Sequence, residues 1–100
     1  MDFKQGLRRE LIEIDLSDVS DSKALHELLK EALGFPSFYG NNWAAFWDSI
    51  TGLIEMPIRL RLNGWQQFQQ RMSHDARCLC ECLKDASNEF PEFASEVEYS

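Results

Sequence analysis

The side chains that could do chemistry in this 100-residue chain are few: two histidines, three cysteines and a surplus of carboxylates. Acid–base or nucleophilic catalysis needs one of these beside an orienting partner. His26 lies one position off the apolar stripe of a predicted helix and reads as a surface residue. His74 falls in a turn between two predicted helices. Neither has a cysteine, serine or carboxylate partner at a telling spacing, and there is no glycine-rich phosphate loop and no HExxH. An enzyme would have to depend on His26 or His74, and no catalytic residue is assigned. The cysteines sit together as Cys78-Leu79-Cys80-Glu81-Cys82, an odd number and a poor disulfide framework. On a helix Cys78 and Cys82 share a face while Cys80 points away, so the three cannot converge on one tetrahedral ion. They read as reduced thiols, with Cys82 and its neighbour on that face, Cys78, packed inside; no metal and no cofactor is expected.

Recognition chemistry has a better candidate. Six aromatics fall in the eighteen residues from Phe35 to Gly52. At about 100° per residue, Trp43, Phe46, Trp47 and Ile50 share one helical face, while Ala44, Asp48 and Thr51 share the flank beside it. A core helix with a polar back accounts for Phe46 and Ile50. It accounts less well for a small alanine and a lone acid set beside a tryptophan and an aromatic loop. Aromatics around a single charge are what an interface anchor looks like.

The elements that must position these residues follow from periodicity. Leu11-Ile12-Glu13-Ile14-Asp15-Leu16 alternates apolar and acidic residues, as a strand with one buried face does. Ser17 to Ser20 supplies turn and cap chemistry. Leu25, Leu28, Leu29, Ala32 and Leu33 then recur at helical spacing, and Gly34 closes that helix. Phe35-Pro36 stops any continuation. Residues 37–41 read as a loop, with Asn41 or Asn42 capping the aromatic helix, which ends near Thr51-Gly52. Ile58 to Leu62 alternates again as a second strand, and Asn63-Gly64 is a turn. Trp65 to Met72 is a short helix. Asp75 can cap a longer one to about Asn88, with Leu79, Cys82, Leu83 and Ala86 inward. Phe90-Pro91-Glu92-Phe93 breaks it, and Ala94 to Tyr99 is a third strand. Strands separated by helices point to a small α/β fold with a parallel sheet and right-handed crossovers.

The formal charge of −7, with seventeen acids against ten bases, argues against nucleic acid or an anionic membrane as partner. It suits a basic partner and equally simple solubility. The acids concentrate from Asp75 to Glu98, where seven stand against Arg77 and Lys84. The first residues hold no apolar run of signal-peptide length, and no stretch approaches the ~20 apolar residues of a membrane span. With reduced thiols, this predicts a cytoplasmic protein.

The run Phe38-Tyr39-Gly40-Asn41-Asn42-Trp43, followed by Ala45-Phe46-Trp47-Asp48 and Thr51-Gly52, resembles the signature of barstar-related ribonuclease inhibitors. The order of elements agrees from about Leu11 to Tyr99. The resemblance implies one barstar-like domain over residues 1–100, with 1–9 as an N-terminal extension. Its sheet would have three parallel strands packed with about four helices. It also implies a 1:1 complex with a basic ribonuclease toxin whose active site the protein blocks, protecting the cell that makes it. Carried over residue by residue, it makes Asp48 the carboxylate that enters the enzyme's phosphate-binding pocket, where an arginine fork can hold it. Phe38 takes the place of a tyrosine that stacks on the enzyme, and Trp47 packs beneath or beside Asp48. Gly40 and Asn42 belong to the binding loop, Gly40 allowing a backbone geometry that other residues would strain. Thr51 lies on the same flank, and Asp85 falls near a further acidic contact position. Ala44 stands where the family has a second acid, and Leu53 where it has an interface tryptophan. The loss of the acid at Ala44 favours an alternative, a barstar-like module aimed at another toxin class or another partner through the acidic surface between Asp75 and Glu98.

Overall fold

Alternation and helical spacing resolve into three strands and four α-helices in the computed structural model, which describes residues 8–100. The rest of the expected N-terminal extension, Met1 to Leu7, lies outside the described residues. Strand β1 covers Leu11–Asp15, helix α1 Ser22–Leu33 and helix α2 Trp43–Asp48. A π-helical turn, Ser49–Leu53, leads on to β2 at Arg59–Asn63. Helix α3 is Trp65–Arg71, α4 is Ser73–Glu89, and β3 is Glu96–Tyr99. The third strand is two residues shorter than its alternation suggested, because Ala94 and Ser95 make no ladder. Ser95 instead sends its hydroxyl to the Pro57 carbonyl.

The sheet is all parallel, in the order β1-β2-β3. Ile12 pairs with Leu60 and Ile14 with Leu62, and Leu60 pairs in turn with Val97. This register stacks the apolar side chains on one face, where Ile14, Leu60 and Leu62 are buried among the helices. The other face is polar and open. There Arg61 bridges Glu13 on β1 (3.1 Å) and Glu98 on β3 (2.8 Å). The hydrogen bonds from Arg61 and Asn63 hold the Glu13 carboxyl below its usual range. Parallel sheets usually bury both faces; here the charged rung suits the open one to water.

Local chemistry sets the helix ends. Asp21, rather than the serines before it, caps α1 by accepting from the Ala24 N–H at 2.7 Å. Gly34 stops the helix at φ 72°, the left-handed conformation glycine adopts without strain. Asn42 caps α2 through the Ala45 N–H at 2.7 Å. Gly64 begins α3 at φ 71°, and a Cβ there would lie 2.8 Å from the Ser17 backbone. The Asn63-Gly64 turn is therefore also a point of close backbone approach. Asp75 does not cap α4. That helix begins two residues earlier, at Ser73, and Asp75 is buried in its first turn.

Arg8 and Arg9, assigned by sequence to the extension, are tied to the sheet. The Arg9 carbonyl accepts from the Ile58 N–H (2.9 Å), and the Arg8 guanidinium donates to the carbonyls of Met56 (2.9 Å) and Pro57 (3.0 Å). Longer contacts reach the carbonyls of Glu92, Phe93 and Ala94, so one side chain staples the segment after α4 to the entry of β2.

Candidate functional site

The loop between α1 and α2 is folded by its aromatics. Phe35 and Tyr39 are buried with their rings tilted together at 4.7 Å, while Phe38 between them is 75% exposed. The Tyr39 N–H closes a turn on the Pro36 carbonyl (3.0 Å), which turns Phe38 outward. Below the loop, the Tyr39 hydroxyl lies 2.6 Å from Nδ1 of His26. His26 is thus not the surface residue its position beside the leucine stripe suggested, being only 2% exposed. His26, Leu29 and Leu33 fall at i, i+3 and i+7, so His26 shares the buried face of α1 with these leucines. Burial lowers the His26 pKa, opposed by the Asp75 carboxylate. Burial likewise raises that of the Tyr39 phenol.

Gly40 does not supply the loop's unusual backbone. Asn41 does, at φ 52°, an angle that asparagine tolerates better than most residues. What Gly40 offers is space and an acceptor. Its carbonyl takes a bond from the Asn42 side-chain amide (3.1 Å), and a Cβ would meet that amide at 3.2 Å.

In α2, Phe46 and Ile50 of the following turn are buried, and Trp43 and Trp47 pack against the core with part of each ring exposed. Ala44 and Asp48 are both exposed one turn apart, about 6 Å along the axis. Among the described residues no side chain pairs with the Asp48 carboxylate. The helix then widens, the Ile54 N–H bonding the Ser49 carbonyl (3.1 Å), and Thr51 sends its hydroxyl back to the Trp47 carbonyl (2.6 Å). Single π turns of this kind recur at functional sites.

Phe38, Gly40, Asn42, Ala44 and Asp48 therefore all lie exposed on one continuous loop-and-helix segment, with Trp47 and Thr51 half-buried at its edge. Asp85 lies apart, exposed on α4. Its neighbours Leu83 and Ala86 line, with Thr51, a cleft of about 680 Å³ between the π turn and the segment after α4. Phe90 and Phe93, which line that cleft, are exposed apolar residues, as is Leu53 of the π turn. The acidic run from Asp75 to Glu98 is not one surface. Asp75 is buried and Glu98 is paired with Arg61 on the open sheet face, leaving Glu81, Asp85, Glu89 and Glu92 exposed along α4 and beyond it, and Glu96 exposed on β3.

The remaining reactive groups are poorly placed for catalysis. His74 does have a cysteine partner that its i, i+4 spacing could have shown, with Nε2 lying 3.6 Å from Cys78 Sγ. Burial and the nearby Asp75 and Glu81 push that thiol's pKa up, and Cys82 is pushed up to about 11. A nucleophilic cysteine needs the reverse shift. All three thiols are free and half-buried, Cys80 lying against the Tyr99 hydroxyl (3.3 Å). No described helix is long and apolar enough to cross a membrane.

The protein is thus a small α/β fold with one covered sheet face, presenting an aromatic loop and an exposed helical acid that no side chain pairs among the described residues. The family model described as Barstar (barnase inhibitor) matches residues 9–99, and the chain belongs to the barstar family. It is also 33% identical over 76 residues, 76% of this chain and 84% of the other, to the Bacillus subtilis (strain 168) protein named "Putative ribonuclease inhibitor YrdF".

Proposed function

We propose that this protein is a stoichiometric, non-catalytic inhibitor of a basic ribonuclease toxin. It is an immunity protein that guards the cytoplasm of the cell that makes it. The Phe38–Asp48 surface plugs the enzyme's active site in a 1:1 complex, with Thr51 at its edge and Asp85 as an outlying contact. Asp48 carries the reading. Asp48 is exposed midway along the helical run that continues into the π turn, and among the described residues no side chain bonds its carboxylate, so the acid pairs with nothing that would hold α2. It is instead free to enter a phosphate site and accept a bidentate arginine. Phe38 supplies an exposed ring for stacking, and membership of a family of barnase inhibitors supports the choice of target.

The test is inhibition of barnase and of a panel of basic bacterial ribonucleases by wild type and Asp48→Ala. The variant should inhibit at least about 100-fold more weakly. Its unfolding free energy should stay within about 0.5 kcal/mol of wild type, because the side chain is exposed. Equal inhibition by the two proteins would remove Asp48 as the anchor.

One observation favours a second reading. Ala44 leaves bare apolar surface where the family carries an acid, and the exposed acids Glu81, Asp85 and Glu89 stand on another helix. A partner of another class would then respond to charge reversal on α4 and ignore Asp48→Ala.

A further inference from the structure

Asp75 is a buried acid with no cation bonded to it among the described residues. It is 8% exposed, and its two oxygens are held by neutral donors, the Trp43 indole N–H at 3.0 Å and the Ser22 hydroxyl. These bonds join three helices that are distant in sequence, with Ser22 opening α1, Trp43 opening α2 and Asp75 in the first turn of α4. The Trp43 ring also lies 4.6 Å from His26, which holds Tyr39 of the aromatic loop. A buried carboxylate is a costly way to gain stability, since apolar packing of the same volume commonly does as well. Its particular advantage is direction, because it fixes where each donor must point.

Direction matters most for α2. Six residues are far too few to hold a helix in water, so its position depends on what ties its ends. One end is held by the Asn42 cap and the Trp43 indole, the other by the π turn and Thr51. We infer that Asp75, gripping Trp43 and braced by Ser22, is a positioning residue for the Phe38–Asp48 surface. It sets the angle at which α2 presents Asp48 without itself reaching a partner. The inference rests on the proposed reading of that surface.

Amide hydrogen exchange on the free protein tests it without a partner. Trp43→Phe keeps an aromatic side chain but loses the indole donor together with the pyrrole ring, whereas Asp75→Ala removes the acceptor and leaves the Trp43 ring intact. Asp75→Asn can keep both bonds, its oxygen to the indole and its amide to the Ser22 hydroxyl. In Trp43→Phe and Asp75→Ala, the Phe46, Trp47 and Asp48 amides should exchange about tenfold faster, a change of the size expected for one lost hydrogen bond. The Leu60 and Leu62 amides should keep wild-type protection, and Asp75→Asn should stay near wild type. A uniform rise over helix and sheet would make the network a general stabiliser and overturn the inference, as would unchanged exchange in α2. With barnase as the probe, Trp43→Phe should bind about tenfold more weakly. Wild type failing to inhibit any tested ribonuclease would strike at the reading of the surface, and the exchange comparison would still decide the role of Asp75.

Discussion

Inside the core, the bond between His26 and the Tyr39 hydroxyl comes with a desolvated imidazole, and the folded chain favours the neutral ring. The His26 pKa is lowered from 6.5 on folding, so below pH 6.5 the unfolded chain takes up the proton first. The stability this residue contributes is complete above pH 6.5 and is lost as pH falls through the lowered folded value. Urea midpoints from pH 8 to pH 5 should fall below pH 6.5 in wild type and fall less in His26→Gln. Glu13 and Asp15 also have lowered pKa values, from 4.5 and 3.8, so their losses come at still lower pH and do not mask this one. His26 and Asp75 are also where residue-level reading of the sequence failed. Patterning sorts apolar from polar, and both are polar groups buried because a partner far along the chain satisfies them. Trp43 and Asp75 are 32 positions apart, a distance no helical period records. The exposure of Asp48 was easier, since an acid off the apolar face is a local pattern, whereas Phe38 stands out only through the family resemblance.

At the scale of elements, periodicity located all three strands and all four helices, because each buries one face and so repeats at 2 or 3.6 residues. Their ends were less legible. The π turn after Asp48 has no composition of its own, since Ser49 to Leu53 reads equally well as a helix end. Glycines separate the two kinds of end cleanly. Gly34 and Gly64 share a positive φ, but nothing lies within 4 Å of a Cβ on Gly34, while one on Gly64 would strike the Ser17 backbone. Gly34→Ala should therefore cost about 1 kcal/mol, the left-handed penalty alone. Gly64→Ala should cost about 2–4 kcal/mol, with steric strain added. Denaturant unfolding of the two variants side by side measures the difference, and equal losses would show that Ser17 yields without cost.

Taken as a whole the molecule carries a net charge of −7, and the proposed partner is basic. Association should then be fast at low ionic strength and slow by about tenfold or more as salt shortens the screening length. Stopped-flow mixing over a salt series checks this, and a flat series would argue for a partner chosen by shape alone. The sheet has a temporal consequence as well. Arg61 on the central strand meets Glu13 across 48 residues of chain and Glu98 across 37, so each strand pairs with the next one in sequence only after a long crossover. Every rung waits for a long stretch of chain to close, which makes for slow assembly. As the protein is synthesised, α1, α2 and β1 are made long before β3, and until residues 96–99 emerge β2 keeps a bare edge. The sheet is therefore finished last, although the aromatic loop is made early. A cell relying on such a chain for protection would be exposed throughout its translation, and it gains most if the inhibitor is made ahead of the enzyme it restrains.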